Sequence, residues 1–97
     1  MLTGKQRAYL KSMANKMDPL FQIGKNGVTE NFVEQLKEAL ETRELIKIKV
    51  LNNSMLEADE VARELCERAE AEFVQSIGSK IVLYKESEEN KEINLPK

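Results

Sequence analysis

The order in which helical and extended patterns follow one another is the tightest constraint this sequence places on its fold. It runs α-β-α-β-α-β-β, and only the last two strands are joined by a link short enough for a hairpin. Strands separated by a helix prefer a parallel arrangement with right-handed crossovers, whereas a two-residue link imposes an antiparallel pair. The expected fold class is therefore α/β, a sandwich built on a mixed four-stranded sheet covered by helices.

Each element has a local cause. Thr3 and Gln6 have the spacing of a capping box, which starts a first helix near Gly4. Leu10, Met13, Ala14 and Met17 recur at i, i+3, i+4 and i+7 and form its apolar stripe. Asp18-Pro19 should end it, because the residue before proline is driven out of the helical region. Residues 20–23 read as a short strand that enters Gly24-Lys25-Asn26-Gly27. Thr29 is a good N-cap for the second helix, with Val28 and Val33 spaced as a hydrophobic staple and Val33, Leu36, Ala39 and Leu40 as its apolar face.

In residues 45–51, Ile46, Ile48 and Val50 alternate with Lys47 and Lys49, the pattern of a half-buried strand with one face in solvent. Asn52-Asn53-Ser54 makes a turn. A third helix follows over residues 55–70, with Ala58, Val61, Ala62, Leu65, Cys66 and Ala69 on one side. Residues 73–77 and 80–84 are strands around Gly78-Ser79, where a first-position glycine suits a II′ hairpin turn. Residues 86–92 are mostly charged and expected in solvent, and residues 93–96 are expected to lie on the body as a short extension.

Ninety-seven residues suffice for one core, so residues 1–97 are expected to form a single domain, with residues 86–97 as a charged C-terminal extension. Cys66 is the only cysteine and histidine is absent. An intramolecular disulfide and a cysteine-cluster metal site are excluded, and the commonest general base is missing. The N-terminal residues begin no signal peptide and no apolar run approaches the ~20 residues that span a bilayer. A cytoplasmic protein, with no membrane partner, no metal and no cofactor, is the expectation.

The net charge of −2 argues against a nonspecific nucleic-acid binder, but its distribution is uneven. Residues 1–27 carry Lys5, Arg7, Lys11, Lys16 and Lys25 against Asp18 alone, whereas residues 51–77 carry Arg63 and Arg68 against seven acids. Solubility is the simpler explanation of charge considered alone.

Gly24-Lys25-Asn26-Gly27 is the strongest local signal. Glycines permit a tight turn and close approach of a ligand, the helix N-terminus behind favours an anion, and Lys25 supplies a mobile positive charge at the tip. Loops of GXXG form clamp the sugar-phosphate backbone in KH modules. As a bare pattern it is weak, and an ordinary strand-to-helix turn is the commoner reading. Lys5, Arg7, Lys11 and Lys16 on the first helix are expected to converge with Lys25 into a basic face suited to RNA backbone, with the acidic third helix facing away. No nucleotide P-loop and no GxGxxG is present, and Asp59-Glu60 and Glu88-Glu89 have no catalytic spacing. Cys66, Met13 and Met17 read as packing residues.

Several separated motifs then point the same way: Leu2-Thr3-Gly4-Lys5-Gln6-Arg7, Ile23-Gly24-Lys25-Asn26-Gly27-Val28-Thr29, Glu44-Leu45-Ile46-Lys47-Ile48-Lys49-Val50, Gln75-Ser76-Ile77-Gly78, Val82-Leu83-Tyr84-Lys85 and Ile93-Asn94-Leu95-Pro96. In these the chain resembles the YhbY-like proteins, bacterial single-domain members of the CRM (chloroplast RNA splicing and ribosome maturation) group. The resemblance implies a sandwich similar to the C-terminal domain of a bacterial translation initiation factor. It also implies association with precursors of the large ribosomal subunit, and RNA contact through residues 24–27 with Lys25 at the tip. The expected function is a noncatalytic, monomeric ribosome-assembly factor that binds rRNA. A protein module whose acidic third helix docks on a basic ribosomal protein is the chief rival, and an enzyme acting on a phosphorylated small molecule a weaker one.

Overall fold

The structure, a computed structural model, describes residues 2–51 and 57–96. Its elements are α1 (Gly4–Ala14), β1 (Phe21–Ile23), α2 (Glu30–Arg43), β2 (Leu45–Val50), α3 (Ala58–Ala69), β3 (Glu72–Ile77) and β4 (Lys80–Tyr84). This is the expected order. The turn foreseen at Asn52-Asn53-Ser54 and the foreseen first residues of the third helix, 55 and 56, lie outside the described residues.

The strands form one sheet in the order β1-β2-β4-β3. β1 runs parallel to β2, while β4 pairs antiparallel with β2 on one side and β3 on the other. The β3–β4 hairpin turns at Gly78, whose φ of +59° supplies the left-handed conformation that such links require. β4 therefore inserts between β2 and β3, leaving β1 and β3 as opposite edges. A bulge between Phe73 and Gln75 interrupts the edge strand β3, a common way of blunting an unpaired edge.

Side chains alternate across this sheet and build two cores. Ile23, Ile46, Ile48, Val50, Ile81 and Leu83 pack with Leu36 and Leu40 of α2 and Leu65 of α3. On the other face Leu45, Val82, Tyr84 and Val74 pack with Leu10 and Ala14 of α1. The sheet is thus covered on both faces, the sandwich that the alternating helices and strands imply.

That second core corrects the expectation that one face of residues 45–51 lies in solvent. Lys47 is half-buried, and its ammonium donates to the carbonyls of Ala14 and Met17, each at 3.1 Å. α1 stops at Ala14 rather than at Asp18 because the chain tightens there into i→i+3 turns, the Lys16 N–H donating to the Met13 carbonyl at 3.2 Å and the Met17 N–H to the Ala14 carbonyl at 3.0 Å. Lys47 adds a second donor to the Ala14 carbonyl and ties this turn to β2. At its start the helix is as foreseen: Thr3 Oγ1 accepts the Gln6 N–H and Gln6 Oε1 accepts the Thr3 N–H, each at 3.1 Å.

Residues 86–92 are exposed as expected except Ser87, which is buried, but their backbone is held rather than free. Glu44, at the C-cap of α2 with φ +65°, is completely buried. Its carboxylate accepts the backbone N–H groups of Ser87 at 2.9 Å, Glu92 at 2.7 Å and Ile93 at 2.8 Å. One helical turn earlier, Glu41 accepts the Ser87 hydroxyl at 2.6 Å and the N–H groups of Glu88 and Glu89 at 3.0 and 3.1 Å. Two carboxylates thereby hold a strap of backbone. Beyond it the expected extension is present: Ile93 is buried, Leu95 packs on the α1 core, and Gln6 Nε2 donates to the Pro96 carbonyl at 3.1 Å.

Candidate nucleic-acid interface

The strand registers fix which loops meet. Ile23 at the end of β1 stands beside Val50 at the end of β2, and Lys49 stands opposite Lys80 at the start of β4. The Leu51 N–H donates to the Ile23 carbonyl at 2.8 Å and the Val50 N–H to the Ser79 carbonyl at 2.7 Å. The 24–27 loop and the Gly78-Ser79 turn therefore lie at one end of the sheet.

Within the loop, the Gly27 N–H donates to the Gly24 carbonyl at 3.0 Å and closes the turn. Gly27 has φ +67°, a conformation that a side chain disfavours. Gly24 is different. A methyl group there would sit 3.5 Å from Leu51 Cδ1, an ordinary contact, so only one of the two glycines is demanded by the turn itself. Lys25 and Asn26 are exposed at the tip. Behind them Val28 packs on the core, Thr29 Oγ1 accepts the Phe32 N–H at 3.0 Å to cap α2, and Arg68 of α3 donates to the Val28 carbonyl at 3.5 Å. The loop is anchored at its rear and open at its front.

Helix α1 distributes the other basic residues differently from the expectation. Lys5 is exposed in its first turn and Lys16 in the turn that follows it. The Arg7 guanidinium Nε donates to the Phe73 carbonyl at 3.4 Å, and Arg7 and Lys11 line a groove with residues 73–77 of β3 and Asp59 of α3. That groove flanks the sheet edge opposite β1. Arg7 and Lys11 do not gather directly around Lys25; β2 and β4 intervene. Nor does α3 face wholly away, since Asp59 shares the groove and Arg68, paired with Glu64 at 3.0 Å, reaches the segment behind the loop. Sequence reasoning also missed Lys49 and Lys80, which the register sets at the same sheet end as the loop. The alternation that turns Lys49 outward was visible, but the neighbours of both lysines follow from strand order, which no local pattern carries.

Cys66 packs partly buried against the core. Burial, and secondarily the charge of Glu72, push its thiol up to about 11, so it is protonated at neutral pH and a poor nucleophile. Cys66→Ala should cost about 1 kcal/mol in urea unfolding. The wild-type thiol should react with a disulfide reagent far more slowly at pH 7 than free cysteine does. Reaction at the rate of free cysteine would contradict the packing role. Among the described residues no three Asp, Glu, Cys or His side chains are grouped to hold a metal ion, and no helix is long and apolar enough to cross a membrane.

A capped helix behind a glycine-closed, lysine-tipped loop, on a sheet sandwiched between helices, defines the class as an α/β domain with an exposed basic loop at one end of its sheet. The chain belongs to the CRS1 / YhbY (CRM) domain family, whose model matches residues 2–85. It is 52% identical over 96 residues to a Bacillus subtilis protein named a probable RNA-binding protein, YqeI, covering 99% of this chain and all of the relative. A Haemophilus influenzae protein named an RNA-binding protein is 36% identical, with 99% of this chain and 96% of the relative covered. The solution structure of a hypothetical Staphylococcus aureus protein, described there as an RNA-binding candidate, superposes with a TM-score of 0.79 at 51% identity, over 99% of this chain and all of that one.

Proposed function

We propose that this protein is a noncatalytic RNA-binding factor of the bacterial cytoplasm that acts on rRNA in precursors of the large ribosomal subunit. The observation that carries the proposal is the loop. Gly27 at φ +67° turns the backbone sharply, Thr29 caps the helix behind, and Lys25 and Asn26 stand exposed in front. Such a loop can accept a phosphate from backbone amides and a lysine together. Gly24, Lys25, Asn26 and Gly27 are its RNA contacts, with Lys5, Arg7, Lys11 and Lys16 as further phosphate partners along α1. Relatives named as RNA-binding proteins support RNA as the ligand class, and the YhbY-like motifs support the ribosomal precursor as its source.

A second reading has an observation in its favour: Asp59, Glu60, Glu64 and Glu67 of α3 are exposed and suit a basic ribosomal protein. The two separate on one experiment. Sedimentation of the tagged protein through sucrose gradients should find it with large-subunit precursors, and protein-free RNA from those particles should retain it in a salt-dependent manner. Sedimentation with precursors but no retention by their naked RNA would favour docking through α3. Absence from the precursor fractions would remove the ribosomal reading.

A further inference from the structure

Alternation along the strands sets four side chains in one open row. Leu45, Lys47 and Lys49 of β2 share the face that α1 covers, as do Val82 and Tyr84 of β4, with Lys80 two residues before Val82. Gln22 of β1 stands opposite Lys49, Lys49 opposite Lys80, and Lys80 opposite Ile77 of β3. One row thus crosses all four strands, Gln22-Lys49-Lys80-Ile77, on the α1 side. Helix α1 packs over Leu45, Val82 and Tyr84 but leaves this last row uncovered: Gln22 and Lys80 are exposed, Lys49 is half-exposed, and Ile77 is 64% exposed. With strands ~4.8 Å apart, the row is about 14 Å long.

Two features of the row lack a structural purpose. Like charges directly opposite on antiparallel strands are destabilising, and neither Lys49 nor Lys80 has a carboxylate ion-pair partner among the described residues. Ile77 is the most exposed large apolar side chain among the described residues, at the end of a bulged edge strand. A polyanion with apolar faces resolves both, because phosphates neutralise the paired lysines and an unpaired base covers the isoleucine. The row also has the right ends. Gln22 is two residues before the 24–27 loop, and Ile77 lines the groove that contains Lys11 and Arg7.

We infer that an unpaired RNA segment crosses the end of the sheet on this row, from the 24–27 loop to Lys11 and Arg7, with Lys49 and Lys80 as its central phosphate contacts. The inference rests on the RNA-binding reading given above and deepens it. It joins the two groups of basic residues that strand order keeps apart. It also makes sheet residues, rather than the loop alone, part of the binding surface.

The test compares wild type, Lys25→Ala, Lys49→Gln/Lys80→Gln and Lys80→Glu for binding to protein-free RNA from large-subunit precursors over a salt series, with a thermal melt of each. Losing two single-strand phosphate contacts should flatten the dependence of log affinity on log salt by about 1.4. Lys80→Glu should weaken binding on the order of tenfold while raising the melting temperature, because it turns a like-charge pair into an opposite one. A merely structural role would not move the two readouts in opposite directions. If Lys25→Ala weakens binding but the double variant and Lys80→Glu bind as wild type at every salt, the row is not the track and the RNA-binding reading stands without it. If wild type itself retains no RNA, that reading fails and the inference fails with it.

Discussion

Glu44→Gln is expected to cost about 3 kcal/mol and to release the C-terminal strap. The wild-type carboxylate is buried, and one oxygen receives the Glu92 and Ile93 N–H groups while the other receives that of Ser87. A glutamine has only one acceptor oxygen. If it serves Glu92 and Ile93, its amide nitrogen meets the Ser87 N–H donor to donor, and every remaining bond loses its charge assistance. For a domain of this length the loss should lower the melting temperature by more than about ten degrees. Hydrogen exchange at Ser87 and Ile93 should accelerate beyond the change in the β2 amides. A melt within a degree or two of wild type would mean that the strap contributes nothing.

The same carboxylates give stability a pH dependence. Burial raises the Glu44 pKa, but the three backbone N–H groups and then Lys91 lower it further, leaving it below the ordinary value. Glu41 is lowered by the Ser87 hydroxyl and then the Glu88 and Glu89 amides. A folded-state pKa below the unfolded one stabilises the native protein above the unfolded value of about 4.3, and that contribution disappears as pH falls through the lower folded value. Protection of the strap amides should therefore fade below about pH 4.3, and Glu44→Gln should flatten that acid limb.

Gly27→Val should have the largest effect on RNA association of any single substitution in the loop. At φ +67° a β-branched side chain collides with its own backbone. The turn must distort, at about 1–2 kcal/mol, while the Thr29 cap and the packed Val28 keep α2 in position. Lys25→Ala removes one phosphate partner without strain, so binding weakens uniformly and the salt slope falls by about 0.7–0.9. Gly24→Ala should leave stability nearly unchanged because its new methyl group meets only Leu51 at an ordinary distance. Measuring urea unfolding and RNA affinity on the same three proteins separates shape from charge. Folded Gly27→Val and Lys25→Ala proteins that bind RNA as wild type would reduce the loop to a plain turn.

How much of this was legible in the sequence depends on the range of the interaction. The capping box at Thr3 and Gln6, the Thr29 cap and the Gly78 hairpin are set by neighbours within four residues, and each is present. The element order and mixed sheet followed from those pieces. The interior position of β4 did not, because periodicity states that a strand exists but not which strand it joins. Two errors and one omission share that cause. Lys47 looked solvated until α1 was seen to lie over it, Arg7 and Lys11 were expected beside Lys25, and the Gln22-Lys49-Lys80-Ile77 row was invisible. Glu44 failed for another reason: in sequence it is one acid among many, and only the returning strap turns it into a buried acceptor.

Ultraviolet crosslinking of the protein to RNA inside large-subunit precursor particles, followed by mass-spectrometric assignment of the modified peptides, tests the central claim most directly. The sheet-end account predicts nucleotide adducts on peptides containing the 24–27 loop, on those spanning Lys49 and Lys80, and on the segment containing Arg7 and Lys11. Adducts confined to α3, or precursor particles that contain the protein with no RNA adduct at all, would contradict it.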